Sequence, residues 1–146
     1  MIRRALAALL LPWMLAACAA TSGGSPMPDA PVRNTLWVLH SLAGSPAAAP
    51  GEQQRQAQFT LHLDDNRSTG SGGCNRFTGT YTLKGSSLRF APQAATRMAC
   101  LQGMEQEQAF FKVLEQTRRW RIQGDHLWLQ DAAGKSLAEF NALYLR

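Results

Sequence analysis

A glycine-rich stretch with a cysteine near its start and another at its end decides the fold of this chain. Residues 70–100 read G-S-G-G-C-N-R-F-T-G-T-Y-T-L-K-G-S-S-L-R-F-A-P-Q-A-A-T-R-M-A-C, and they contain Cys74 and Cys100, two of the chain's three cysteines. Apolar and polar residues alternate on both sides of Gly85 and Ser86. Alternation around a Gly-Ser pair predicts a β-hairpin between the two cysteines.

Outside this stretch the sequence predicts short strands and one helix. Strand patterns occur at 36–42, at 59–63 and in two hairpin-like segments between residues 120 and 144. A helix is predicted from about Gly103 to Arg118, where apolar residues fall on one face. In total we expect seven to eight short strands and one helix. The predicted fold is therefore α+β, a curved antiparallel β-sheet or partial barrel closed by one α-helix.

The first 34 residues differ in composition from the rest. Arg3 and Arg4 precede an apolar run that is short for a membrane-spanning helix. The run ends in Leu-Ala-Ala-Cys at 15–18, which resembles a bacterial lipobox, so we predict cleavage before Cys18 and lipidation of Cys18. The alternative is an ordinary signal peptide with a coincidental cysteine. We predict a lipoprotein signal peptide at 1–17, a lipidated cysteine and flexible linker at 18–34, and one domain at 35–146.

Length and charge limit the function classes. A chain of 146 residues suffices for one ordinary domain. Removal of Arg3 and Arg4 with the signal peptide lowers the formal net charge from +5 to +3. This excess is weak and scattered, so nucleic acid is not an expected partner. We expect a monomer in the bacterial cell envelope, and Ala19 after the cysteine favours the outer membrane, facing the periplasm.

Sequence pieces along the whole domain identify a family. In order, they are Trp37-Val38-Leu39, Gly73-Cys74-Asn75-Arg76-Phe77-x-Gly79-x-Tyr81, Thr96-Arg97-Met98-Ala99-Cys100, Glu107 with Phe110, Phe111 and Leu114, Leu127-x-Leu129, and Gly134 with Phe140. With these pieces the chain resembles the META-domain family, the HslJ-like group of bacterial envelope and heat-shock-associated proteins. The resemblance implies a single small α+β domain, often on a lipoprotein, with an association with stress. It implies no catalytic activity, no cofactor and no agreed ligand.

The two remaining cysteines allow several interpretations. If Cys18 carries lipid, Cys74 and Cys100 are an even pair in an oxidising compartment, which favours a structural disulfide. A free buried pair is an alternative. Redox activity is less favoured because C-x-x-C spacing is absent. A metal site is also less favoured, because the three histidines show no ligand-like spacing with the cysteines. Gly73 and Asn75 are interpreted as bracing the bend rather than as binding a ligand.

Glu107 lies between Met104 and Phe111 at helical spacing, on the apolar face of the predicted helix. A carboxylate in that position is costly to bury unless it is paired. We therefore hypothesise that Glu107 is partly buried and bonded to Arg97, to Arg76 or to loop amides. The alternative is that Glu107 is exposed and only favours the helix dipole.

Basic residues form two candidate binding surfaces. One is the exposed side of the cysteine loop around Arg76 and Arg97. The other consists of Arg119 and Arg121 with neighbouring tryptophans, a combination that binds polyanions or lipid headgroups. The alternative is that these arginines are the solvated face of a strand whose Trp120 is core.

The sequence favours a non-enzymatic envelope lipoprotein with a stress-related or binding role. Two other functions are compatible with a small β-rich lipoprotein. One is inhibition of an envelope-active enzyme such as lysozyme, through a protruding loop. The other is transport of a small hydrophobic ligand in a cavity beneath the curved sheet. The sequence identifies neither a ligand nor a protein partner.

Overall fold

The computed structural model describes residues 28–52 and 54–144. This part of the chain forms ten strands and one helix. The elements are β1 (Leu36–Leu42), β2 (Ser45–Pro46), β3 (Gln58–Leu61), β4 (Arg67–Ser71), β5 (Arg76–Lys84), β6 (Ser87–Phe90), β7 (Ala94–Ala95), α1 (Met104–Gln116), β8 (Arg119–Gln123), β9 (His126–Gln130) and β10 (Ser136–Leu143).

Eight strands form a closed antiparallel barrel. Their order is β1-β3-β4-β5-β6-β8-β9-β10, and β10 pairs back onto β1. The two-residue strands β2 and β7 are additions that pair with β1 and β5. The predicted fold, a curved antiparallel sheet closed by one helix, is thus confirmed. The sheet is a complete barrel because the first and last long strands meet, which removes both sheet edges.

The barrel wall is uneven in its pairing. The ladder between β1 and β10 runs from Leu36 opposite Leu143 to Leu42 opposite Ala138. Between β6 and β8, in contrast, only Ser87 and Arg119 are paired. The helix α1 lies in the chain between these two strands and packs beside β6. The β6–β8 junction is therefore the least hydrogen-bonded part of the barrel wall.

Large side chains fill the barrel interior. Trp37, Phe59 and Phe140 point inward from the strands, Phe110 comes from α1, and all four are fully buried. The rings of Phe59 and Phe140 pack edge to face with centroids 5.0 Å apart. The interior is thus a packed core. An apolar groove of about 370 Å³ lies at the surface, between α1 and the segment from Phe90 to Ala95.

The antiparallel order gives the barrel two different ends. We call one the helix end, because α1 covers it and buries Phe110, Val113 and Leu114 there. The β4–β5 bend and the long β1–β3 and β6–α1 connections are at this end. We call the other the arm end. It holds the tight turns at 62–66, 85–86 and 124–125, and residues 28–35, which we call the arm, pack against it.

The main chain of the arm is hydrogen-bonded to the barrel. The Ala30 N–H donates to the Gly124 carbonyl over 2.7 Å, and the Asn34 N–H donates to the Leu61 carbonyl over 2.8 Å. The Trp37 indole N–H donates to the Val32 carbonyl, and Ala30 itself is buried. Residues 28–34, which were predicted as part of the linker, thus make main-chain hydrogen bonds to the barrel. Main-chain hydrogen bonds order this segment. Such bonds cannot be predicted from its small side chains.

Two other predicted boundaries differ slightly. The helix was expected from 103 to 118 but runs from Met104 to Gln116. It ends there because Thr117 is extended and the Arg118 N–H donates to the Gln130 carbonyl, which starts the next strand. Residues 98–100 form no strand. None of the helices in the described part of the chain has the length and apolar character needed to cross a membrane.

Candidate functional site

A disulfide between Cys74 and Cys100 joins two loops at the helix end. Residues 72–75, which we call the GGCN bend, connect β4 to β5. Residues 96–103, which we call the pinned loop, precede α1. The two cysteines are 26 residues apart in sequence, so the bond closes a long covalent loop around β5, β6 and β7. The pinned loop has no regular secondary structure of its own and is held at this point by the disulfide.

Glu107 ties α1 to the GGCN bend. Its side chain is 4% exposed. One carboxylate oxygen accepts the N–H groups of Cys74, at 2.9 Å, and of Asn75, at 2.6 Å. The other oxygen accepts the Asn75 side-chain amide at 2.6 Å. Three donors thus compensate the desolvation of the buried carboxylate.

The donors to Glu107 are amides, and no arginine contributes. Of the partners hypothesised for Glu107, the structure shows the loop amides, whereas Arg76 and Arg97 are both exposed to solvent. Of the three alternatives, the loop amides are the one that the structure contains. The physical reason is that the GGCN bend already points two consecutive N–H groups at the carboxylate, so no side-chain cation is needed.

Asn75 extends the contact from Glu107 to the pinned loop. Its side-chain oxygen accepts the Thr96 hydroxyl at 2.8 Å and the Met98 N–H at 2.7 Å. Its side-chain amide also donates to the Met98 carbonyl at 3.2 Å. The hydrogen-bonding groups of the buried Asn75 side chain are therefore all used, one donor on Glu107 and the others on the pinned loop. We call Glu107, Asn75, Thr96 and the main chain of Met98 the clasp.

Glycines 72 and 73 make this close approach possible. A Cβ atom at Gly72 would lie 2.7 Å from the Cγ of Glu107 and 3.0 Å from the ring of Phe111. Gly73 has φ of 129°, a conformation that other residues rarely adopt. The bend can therefore approach α1 only with these two glycines.

The other motif residues serve the barrel. Phe77 is buried, with its ring centroid 5.5 Å from that of Phe111. A Cβ atom at Gly79 would lie 2.4 Å from the side chain of Gln93, so Gly79 makes space for that side chain. The Tyr81 hydroxyl donates to the His62 carbonyl at 2.7 Å. These residues therefore have structural roles.

The pinned loop exposes apolar side chains. Met98 is 55% exposed and Leu101 is completely exposed. Between this loop and Gly51, Glu52 and Gln54 lies an open crevice of about 500 Å³, lined also by Ala99, Cys100 and Leu101. Among the described residues at the helix end, the large apolar side chains that are mostly exposed, Met98 and Leu101, both belong to this loop.

The four candidate arginines lie on two separate surfaces. Arg76 and Arg97 are exposed at the helix end, next to the clasp. Arg119 and Arg121 point outward from β8, on the barrel wall. The strand β6 lies between β5, which carries Arg76, and β8. The two pairs therefore do not form one site.

The tryptophans near Arg121 have different roles. Trp120 alternates with the outward arginines, is half-buried, packs against the core and donates its indole N–H to the Gly85 carbonyl. Trp128 is on the outer face, with the Arg121 guanidinium 3.9 Å from its ring centroid. Only Trp128 belongs to the basic surface.

Sequence reasoning missed Lys84 and Arg89, which are exposed on β5 and β6 close to Arg119. Their alternation within the hairpin predicted that both point outward. The pairing of β6 with β8, which brings them close to Arg119, cannot be recognised from the local sequence.

No group of three or more His, Cys, Asp or Glu side chains that could hold a metal occurs in residues 28–52 and 54–144. Cys18 lies outside the described residues.

The fold and the clasp define a class of protein: a small closed β-barrel capped by one helix, with a disulfide-pinned loop beside the cap. A family model described as the META domain matches residues 30–143. The chain therefore belongs to the META domain family.

Two solved structures are similar to this chain. An NMR structure of a protein from Burkholderia xenovorans is 26% identical, covers 92% of this chain and 100% of its own, and has a TM-score of 0.63. A second NMR structure is 22% identical, covers 75% of this chain and 89% of its own, and has a TM-score of 0.59. The second likeness shows the fold alone. No curated protein matches the chain.

Proposed function

We propose that this META-domain protein is a non-enzymatic binding protein of the bacterial cell envelope. In this proposal, lipid on Cys18 attaches a monomeric domain to the outer membrane, facing the periplasm. The order of charge, apolar run and Leu-Ala-Ala-Cys at the start of the chain supports the attachment. A stress-related role is supported by the family resemblance.

The exposed pinned loop is the observation that carries the binding role. Exposed apolar side chains that are grouped together indicate an interaction surface, and here Met98 and Leu101 are three residues apart in one loop. The disulfide and the clasp hold that loop before any partner arrives. A surface that is already ordered loses little conformational entropy on binding, so a small contact can suffice.

The position of the loop also suits a tethered binding protein. The arm is at one end of the barrel and the pinned loop is at the other. Pro28 is ten positions after Cys18, and this stretch spans at most about 33–36 Å when fully extended. Attachment through the arm would therefore leave the pinned loop at the end of the barrel away from the anchor, where a periplasmic partner can reach it.

Site-specific cross-linking in intact cells tests this function. A photoreactive residue at position 101 is expected to cross-link a discrete partner, and Met98→Ser in the same chain should reduce that product at least several-fold. Leu63 is a matched control, because it is 51% exposed but lies in a turn at the arm end. A photoreactive residue at position 63 should not yield the product. Equal products from positions 63 and 101 would contradict the proposal.

Inhibition of an envelope enzyme such as lysozyme is the second candidate. The observation in its favour is again the ordered loop with a completely exposed Leu101, because inhibitors often present a rigid loop to a cleft. In a cell-lysis assay, the purified protein should slow lysozyme and a Leu101→Ser variant should lose most of this effect. The carrier function has less support, since aromatic side chains fill the barrel interior.

A further inference from the structure

Four cations gather on one wall of the barrel. Lys84 is paired with Ser87, and Ser87 with Arg119, so these three residues form one row across β5, β6 and β8. Arg89 is two residues above Ser87 on the same face of β6, and Arg121 is two residues below Arg119 on β8. Neighbouring strands are about 4.8 Å apart and alternate residues about 7 Å apart, so each cation is near another. We call Lys84, Arg89, Arg119 and Arg121 the basic wall.

No basic-wall side chain forms an ion pair in the described part of the chain. All four side chains are exposed. Ion pairs in the described part of the chain join Arg67 to Asp65 and His126 to Asp125 and Glu139, and none includes a basic-wall residue. The four like charges are therefore available to an external anionic partner.

Trp128 borders the basic wall. Arg121 stacks over its ring at 3.9 Å, and the His126 ring is stacked near it at 5.9 Å between centroids. The Arg121 guanidinium thus covers one face of the indole, a face that is then not open to a nucleic-acid base. A half-buried tryptophan beside cations is typical of a protein surface that contacts lipid headgroups.

The arm brings this wall close to the point of attachment. The Ala30 N–H donates to the Gly124 carbonyl, and the Gly124 N–H donates to the Asp29 carboxylate at 2.6 Å. Gly124 is in the turn between β8 and β9. The chain that leads to Cys18 therefore leaves the domain beside the hairpin that carries Arg119, Arg121 and Trp128. A tether of ten residues keeps that hairpin near the membrane.

We propose that the basic wall docks the domain onto anionic phospholipid headgroups of the membrane to which the chain is attached. The proposal rests on the attachment proposed above. Juxtamembrane cations strengthen binding to an anionic surface roughly fivefold each, and one lipid anchor combined with a basic patch is a known two-signal arrangement. Docking turns the barrel onto its side and leaves the pinned loop at the end away from the arm.

The test uses the full protein purified from cell envelopes and reconstituted into two kinds of vesicle. One contains phosphatidylcholine alone and the other contains equal parts of phosphatidylcholine and phosphatidylglycerol. A spin label on a lipid headgroup quenches tryptophans that touch the surface. We expect stronger quenching in the anionic vesicles, loss of the difference at high salt, and loss of the difference in a Trp128→Phe variant.

Charge variants test the residues. Arg89→Gln with Arg119→Gln, neither of which stacks on Trp128, should lower the ratio of docked to free domain roughly 25-fold. The control is Arg55→Gln with Arg76→Gln, which removes two exposed charges at the helix end and should leave quenching unchanged. Equal quenching in both vesicle types, or equal effects of the two double variants, would overturn the proposal that the basic wall docks onto anionic headgroups.

Failure of the attachment is distinguishable from failure of the docking. Flotation with the neutral vesicles reports the attachment alone. A chain that floats only with anionic vesicles, and that no longer does so with the Arg89 and Arg119 substitutions, would support docking and refute the attachment. A chain that floats with neither would overturn both.

Discussion

At the scale of single residues, Glu107 shows how a buried charge is accommodated. An ionised carboxylate in a core costs several kcal/mol unless it is paired. Here two main-chain N–H groups and one side-chain amide point at it. The compensation is specific, because replacement of the acceptor leaves three buried donors with fewer partners.

We predict that Glu107→Gln lowers the free energy of unfolding by about 2–3 kcal/mol, since hydrogen bonds to a charged group are lost and an amide N–H then faces other donors. Urea denaturation of the purified protein measures this. Glu105→Gln is the matched control, because Glu105 is in the same helical turn but is exposed. If both variants lost the same free energy of unfolding, the hydrogen bonds of the clasp would not explain the effect of Glu107→Gln.

At the scale of elements, the disulfide and the clasp act on the same irregular segment. The pinned loop belongs to no strand, so its order depends on Cys100, on Asn75, on the main-chain hydrogen bond from Thr96 to Arg76 and on the start of α1. A cross-link restricts the unfolded chain as well as the native loop, and the effect grows with the length of the closed loop.

We predict that Cys74→Ala with Cys100→Ala costs about 3–3.5 kcal/mol of stability, by the chain-entropy estimate for this loop length. A reductant should destabilise the natural chain by a similar amount and should not affect the double variant. Both are measurable by thermal unfolding. Two reactive thiols from positions 74 and 100 in the unfolded, unreduced protein would contradict the bond itself.

At the scale of the whole molecule, the barrel is closed but unequally paired. The long ladder from Leu36 to Leu42 along β10 contrasts with the single pair at Ser87 and Arg119. Local opening requires less free energy where few ladder hydrogen bonds must break together. The β6–β8 junction, beside α1, is therefore the expected place for the barrel to open.

Hydrogen exchange should reveal this order of opening. The amides of Leu88 and Trp120, which donate across the junction, should exchange at least tenfold faster than the amides that pair β1 with β10. Exchange measured by NMR on the intact chain gives both rates. Equal exchange rates around the barrel would contradict this prediction. They would mean that packing of α1 stabilises the β6–β8 junction as much as a full set of ladder hydrogen bonds would.

Much of the local structure and of the clasp was predictable. Alternation predicted the hairpin around Gly85, and helical spacing placed Glu107 on the apolar face of α1. The even pair of cysteines, in a chain expected to enter an oxidising compartment, favoured the disulfide that the structure contains. These signals are local in sequence, or depend on composition, so no knowledge of strand pairing was required.

The remaining features required knowledge of contacts between distant residues. The arm was interpreted as linker because small residues predict no core, yet Ala30 is buried by main-chain pairing with Gly124. An arginine was considered as a partner of Glu107 because charge pairing is visible in sequence, whereas the direction of two N–H groups is not. Lys84 and Arg89 were not predicted as part of the basic surface, because their closeness to Arg119 depends on the pairing of β6 with β8.

The sequence alone determined the periodicity of each element, the bend that needs glycine, and the family to which the chain belongs. Only the tertiary structure decided that the sheet closes, that the basic wall is separate from the clasp, and that the arm and the pinned loop are at opposite ends. The physical reason is that side-chain periodicity is set by neighbouring residues, whereas closure depends on hydrogen bonds between strands as distant as β1 and β10.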